Sequence, residues 1–251
     1  TGAVRKITVG QTDYTVAISG NQPYYQHGRK DPLLPIVVKD NQIIDKHCYS
    51  NDGSAFNASG KGAVPIGQAI QTPHVFYNYN TSNTNDWCNP AGTVSGKSTF
   101  FNLWSTNNTS STGGGSVVKT IYDPSPVGYC LPTPTAVKGF SYNGGNASGN
   151  YFGSKFNSPY TSEADFQKNH GWVFYCYRMK AVGSYDLTGG VLFYPALGCR
   201  FSSTGLPYGV QEYCYYWSCV SYGTRYAKSS LEATVNYQRA LGFPIRPVRE
   251  N

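Results

Sequence analysis

Residues 4–9 and 14–18 alternate between apolar and polar side chains and are rich in β-branched types. Gly10, Gln11, Thr12 and Asp13 lie between them with turn chemistry, so the pattern predicts a leading β-hairpin over residues 1–20. Tyr24 and Tyr25 follow, then a polar and charged run from Gln26 to Asp31, with Pro32 and Pro35 breaking regular structure. A short helix is predicted over 66–70, and a second over 162–168. There Ser162 or Thr161 stands as N-cap and Glu163 and Asp165 occupy the first turn. Short apolar and aromatic runs at 171–178, 190–195, 213–219 and 243–248 read as core strands. Every residue from 105 to 116 is Ser, Thr, Asn or Gly, which predicts an exposed flexible loop between Trp104 and the pair Val117 and Val118. A second Gly- and Asn-rich loop is expected at 142–150, and no internal repeat is present.

Composition sharpens this picture. Only 13% of the 251 residues are charged, while Gly, Pro, Ser, Thr, Asn and Tyr abound, which suits short strands joined by many turns. The reading is a loop-rich α+β chain with short antiparallel strands and few short helices, long enough to bury a real core. The net charge of +7 comes from 20 Lys and Arg scattered between Arg5 and Arg249 without a run, so no nucleic-acid partner is expected. No segment reaches the length of a membrane span. The start, Thr1-Gly2-Ala3-Val4-Arg5, lacks the basic and apolar parts of a signal peptide, and the expectation is an export signal lying upstream in a longer precursor.

Candidate chemistry is sparse. His27, His47, His74 and His170 stand at no metal-ligand spacing with each other or with the cysteines, and the thirteen acids are dispersed, so no metal and no cofactor are expected. Cys48, Cys88, Cys130, Cys176, Cys199, Cys214 and Cys219 lack the compact spacing of a disulfide scaffold and read as mostly free or buried thiols. A Cys214 to Cys219 bridge stays open on spacing alone. No nucleophile elbow or papain-like signature occurs. Gly113, Gly114, Gly115 and Ser116 precede Lys119 and Thr120, but Pro124 and Pro126 leave no helix to aim N–H groups at a phosphate. What does stand out is aromatic density. Among 22 Tyr, those between Phe201 and Arg239 alternate with Ser, Thr, Asn and turn glycines, a composition suited to recognition.

Five blocks carry a family resemblance. They are the stretch 24–32; Asp86, Trp87 and Cys88 followed by Asn102, Leu103 and Trp104; the stretch 119–132; the stretch 193–200; and the tail from Tyr216, Trp217 and Ser218 to Arg249 and Glu250. In this order they resemble the C-terminal domains of fimbrillin-like surface proteins of Bacteroidales, which share features with the Fibrobacter major paralogous domain. The C-terminal pattern is also similar to the C-type-lectin-like fold, related to the formylglycine-generating enzymes, of variable proteins diversified by retroelements.

The resemblance implies a single C-type-lectin-like domain over residues 1–251, with about 191–251 displaying the ligand surface. Trp217, Gly198, Arg200, Gly242, Phe243, Arg246 and Arg249 would be frame. Phe201, Ser202, Tyr208, Tyr213, Tyr215, Val220, Tyr222, Arg225, Tyr226, Asn236 and Tyr237 would be displayed. The acidic and amide pairs of calcium-dependent sugar lectins are missing near Trp217, which is followed by Ser218 and Cys219. The expected function is that of a non-enzymatic adhesin or variable ligand-binding domain at the bacterial cell surface, recognising a protein or glycan. The alternatives are a structural pilus subunit whose partners are other pilus subunits, and a cysteine-dependent oxidase of related fold.

Overall fold

A computed structural model describes residues 3–9, 12–18, 23–33, 36–39, 42–45, 64–73, 75–77, 86–88, 102–108, 115–141, 147–148, 156–176, 190–220, 222–227 and 230–250. The fold is α+β, with two short α-helices and many short strands in small antiparallel sheets among the described residues. The alternating N-terminus forms the expected hairpin of β1 (Ala3–Val9) and β2 (Thr12–Ile18). Val9 is opposite Thr12, so Thr12 and Asp13, expected in the turn, belong to the strand. Strand β3 (Tyr25–Gln26) comes next, then a second hairpin of β4 (Ile36–Lys39) and β5 (Gln42–Asp45).

Helix α1 (Ile66–Gln71) buries Ala69. Strand β6 (Tyr129–Cys130) pairs with the C-terminal β16 (Val248–Arg249), and β7 is Ala147–Ser148. Helix α2 (Glu163–Asn169) starts where its capping signals predict. The Asp165 carboxylate accepts the backbone N–H groups of Thr161 at 2.9 Å and Ser162 at 3.2 Å, and His170 closes the helix in the left-handed region. Strands β8 (Gly171–Tyr175) and β9 (Val191–Pro195) then pair as their apolar runs require.

Two four-stranded sheets organise the C-terminal third. One runs β11 (Pro207–Tyr208), β10 (Cys199–Arg200), β15 (Gly242–Phe243), β3; the other runs β12 (Tyr213–Trp217), β13 (Tyr222–Ala227), β14 (Ser230–Asn236), β7. The strand expected over 243–248 is thus divided between β15 and β16, because Phe243 pairs with Tyr25 while Val248 pairs with Cys130.

β12 separates two aromatic clusters by the two-residue period of a strand. Cys214 and Tyr216 face Phe140, Trp172, Phe174, Tyr194 and Tyr226, where Phe140 stacks on Phe174 at 4.3 Å. Tyr213, Tyr215 and Trp217 face Trp104, Leu241 and Phe243, with Trp217 stacked on Phe243 at 4.3 Å. The Ser, Thr, Asn and Gly stretch is anchored at its start, contrary to the expectation of an exposed loop throughout. Ser105 and Asn108 are buried; the Ser105 hydroxyl accepts the Val118 N–H at 3.1 Å and an Asn108 amide N–H at 2.7 Å. Residues 109–114, and 142–146 and 149–150 of the second loop, lie outside the described residues.

At the centre lies the segment Tyr24 to Arg29, buried throughout. Three indoles from distant parts of the chain donate to alternate carbonyls along it: Trp217 to Tyr25 at 2.7 Å, Trp87 to His27 at 2.7 Å and Trp104 to Arg29 at 3.2 Å. The Gln26 amide donates to the carbonyls of Tyr77 at 2.6 Å and Ala240 at 2.8 Å. The His27 ring sits 4.4 Å from Trp104 and 5.4 Å from Trp217, and neither ring nitrogen has a hydrogen-bond partner of normal geometry among the described residues.

Burial first, and then the positive charge of Arg239, hold His27 well below its ordinary pKa of 6.5; the nearby backbone of Cys219 and Val220 opposes this only in part. Asp86 receives the Arg239 guanidinium in a buried ion pair.

Replacing one indole donor by phenylalanine leaves a buried carbonyl without that partner. Trp217→Phe and Trp104→Phe are each expected to cost at least about 1–3 kcal/mol, read as a lower denaturant midpoint. His27 predicts an acid weakness. Its folded pKa lies below the unfolded 6.5, so its contribution is complete above pH 6.5, begins to fall as the pH drops below that value, and continues falling until the folded ring takes up its proton. Denaturant titrations between pH 7.5 and 5.5 should show stability falling by up to about 1.4 kcal/mol per pH unit in the native protein. The fall should be largely absent in His27→Phe.

Candidate functional site

The C-terminal sheets present a continuous series of rings that passes from the core to the surface. Trp217 and Tyr215 both stack on Phe243, at 4.3 and 4.8 Å, and Tyr237 meets Phe243 edge-on at 5.0 Å. Tyr215 lies 5.6 Å from Tyr213, Tyr213 lies parallel to Tyr208 at 6.2 Å, and Tyr208 lies 5.5 Å from Phe201. The inner rings are buried, Tyr213 is half-buried, and Phe201 and Tyr208 are 42% and 48% exposed. Leu206, 48% exposed, lies on the same turn.

Local backbone chemistry aims this series outward. Gly198 and Gly209 both have left-handed φ, +67° and +64°. A Cβ on Gly198 would strike the Tyr208 carbonyl, and one on Gly209 would strike the Tyr213 ring, so residue 198 can approach the end of β11, and residue 209 the Tyr213 ring, only as glycine. The 201–206 turn is closed by Phe201 N–H to Leu206 O at 2.9 Å and Gly205 N–H to Phe201 O at 2.7 Å. The buried Arg200 supports it from below, donating to the Gly205 carbonyl at 2.9 Å with its guanidinium 5.7 Å from the Tyr24 ring.

Of the eleven positions expected on display, the structure therefore exposes Phe201 and Tyr208 and leaves Tyr213 and Tyr237 half-buried. Four are corrected. Ser202 is buried because its hydroxyl bonds the Gln238 side chain, anchoring the turn. Tyr215 is buried because it shares the inward face of β12 with Trp217. Val220 packs beside Trp217 and Trp104, and Tyr226 sits edge-on to Phe140, Phe174 and Tyr194. Tyr222, Arg225 and Asn236 are placed on β13 and β14, with Tyr222 opposite Asn236; their side chains lie outside the described residues. Leu206 was not singled out by the sequence, since a lone Leu after Gly205 carries no periodic signal.

The expected frame residues Trp217, Gly198, Arg200, Gly242 and Phe243 are buried; Arg246 is half-buried and Arg249 exposed. The buried thiols among the described residues offer little nucleophilic character. Cys88, Cys130, Cys199, Cys214 and Cys219 are buried and unbridged, and burial pushes Cys88 and Cys219 up to about 12 and Cys199 and Cys214 higher still. Cys214 donates to the Tyr194 carbonyl at 3.1 Å. Among the described residues no group of three or more His, Cys, Asp or Glu is placed to hold a metal ion, and no helix is long and apolar enough to cross a membrane. Comparison with protein-family models, with curated proteins and with solved structures finds no match to this chain.

Proposed function

We propose that this chain is a non-enzymatic binding domain of a bacterial cell-surface protein, C-type-lectin-like in fold, that recognises a protein or glycan through the aromatic ridge of Phe201, Tyr208 and Tyr213. The observation that carries the reading is the exposure of large rings on a rigidly supported turn. Phe201, Leu206 and Tyr208 expose apolar surface at adjoining positions, yet each sits on backbone held by Arg200, Ser202 and two left-handed glycines. Rings fixed in this way lose little conformational freedom on binding, and they offer stacking faces to sugars or to apolar side chains. The likeness to fimbrillin-like and retroelement-diversified proteins supports the same reading, since it places the displayed positions in this part of the chain. The buried, high-pKa thiols weigh against a cysteine-dependent oxidase.

A structural pilus subunit is the second reading, and one feature favours it. Among the described residues the β1–β2 hairpin forms a sheet of two strands whose outer edges pair with no third strand, the geometry used for pairing between chains.

The test is a screen of the protein against glycan and host-protein arrays beside the triple variant Phe201→Ser, Tyr208→Ser, Tyr213→Ser. A ligand found with the native protein should be lost or weakened at least about tenfold in the variant. The two exposed positions, Phe201 and Tyr208, should add little to any stability change, within about 0.5 kcal/mol each. A ligand bound equally by the variant, or the absence of any ligand with self-association through the N-terminal hairpin, would move the assignment to the structural subunit.

A further inference from the structure

At the far end of β12 from the ridge the fold leaves a pocket of about 280 Å3. Its walls come from the 132–140 turn, β8, β9, the end of β12 and the segment before β16, and they include the apolar side chains of Phe140, Tyr175, Leu192 and Tyr194. The volume lies just under the roughly 300–1,000 Å3 of drug-sized pockets, which suits a single ring or short chain. Arg246 is the one charged side chain among the lining residues.

That arginine is held in place. Its Nη1 donates to the Phe193 carbonyl, and its guanidinium lies over the Tyr194 ring at 4.3 Å. The ion pairs among the described residues are Lys119 with Glu250 and Arg239 with Asp86, so no carboxylate of the described chain is paired with Arg246. A guanidinium fixed on one edge keeps further N–H donors in the planar fork that matches a carboxylate. One such fork in apolar walls suits a monoanion with an apolar body. A phosphate dianion would need more donors, and a sugar would leave its hydroxyls unpaired.

From this geometry we propose that the pocket is a second binding site, separate from the aromatic ridge, for a small apolar carboxylic acid whose carboxylate meets Arg246 and whose ring or chain packs on Tyr194, Phe140 and Leu192. The ligand enters as its carboxylate, and no covalent step is involved.

The probes are 3-phenylpropionate, octanoate and the neutral 3-phenylpropionamide, titrated into the folded protein by calorimetry and by ligand-observed NMR. 3-Phenylpropionate should saturate with a dissociation constant below about 1 mM, and the amide should bind at least about tenfold more weakly. Arg246→Gln should remove that preference, weakening the acid about tenfold while leaving the amide unchanged. Ala136→Phe, which fills the pocket from an exposed lining position, should abolish binding of both. The ridge variant of the preceding section should bind the acid as the native protein does, which keeps this site distinct from that one. Equal binding of acid and amide by the native protein overturns the proposal, as does retained binding in Ala136→Phe or failure of both acids to saturate below about 10 mM. Should Arg246→Gln not fold, the acid-to-amide ratio and Ala136→Phe decide the question.

Discussion

The structure depends on how the buried strand segment from Tyr24 to Arg29 satisfies its carbonyl groups. A peptide carbonyl withdrawn from water needs a donor, and only part of this segment lies beside another strand. The indoles of Trp217, Trp87 and Trp104 supply the carbonyls of Tyr25, His27 and Arg29, every second residue along the segment. Because these tryptophans lie 60 to 192 residues away in sequence, each bond also ties a distant part of the chain to the same short stretch. Each bond therefore closes a long loop, and the arrangement is one of high contact order.

Buried arginines extend the same solution to the loops. Arg29 donates to the carbonyls of Val75 at 2.6 Å and Pro73 at 2.8 Å and to the Gln26 side chain at 2.9 Å; Arg200 holds Gly205; and Arg239 pairs with Asp86. A planar guanidinium can bridge several carbonyls at once and still lie against aromatic rings, as Arg29 does near Tyr77 and Trp87. The described residues include many loop carbonyls, and Arg29 and Arg200 satisfy some of them from inside the core while Arg239 balances the buried Asp86 carboxylate. The charge of +7 is thus partly structural, which is one reason it forms no surface run.

Elements with their own periodic or capping signal were legible from the residues alone. The leading hairpin, the helix opened by Ser162 and Asp165, and the paired runs in β8 and β9 all carry such signals. The two-residue strands β3, β10, β11, β15 and β16 could not be read, because two residues display no period and their pairing is decided by tertiary contacts. Composition misled at Ser105 and Asn108, whose polar side chains are buried because they bond each other and the returning backbone at Val118. At the ridge, residue type misled and periodicity would have helped. In β12 the alternation that buries Trp217 buries Tyr215 with it, whereas Ser202 and Tyr226 depend on partners 36 and 32 residues away, Gln238 and Tyr194.

The boundary between scaffold and displayed surface falls at Tyr213. Inward of it, Tyr215 and Trp217 share Phe243 as a stacking partner, and Phe243 pairs with Tyr25 in the segment that the indoles hold. A change there disturbs the central carbonyl network. Outward of it, the Tyr208 ring meets Tyr213 and the Phe201 ring meets Tyr208, while Arg200, Ser202 and the two glycines hold the turn without using either ring. The cost of altering a side chain therefore drops sharply along this series of rings. Such a gradient separates fold from specificity: the turn keeps its place because of buried groups, so the outer rings can be replaced by others without loss of the surface that carries them.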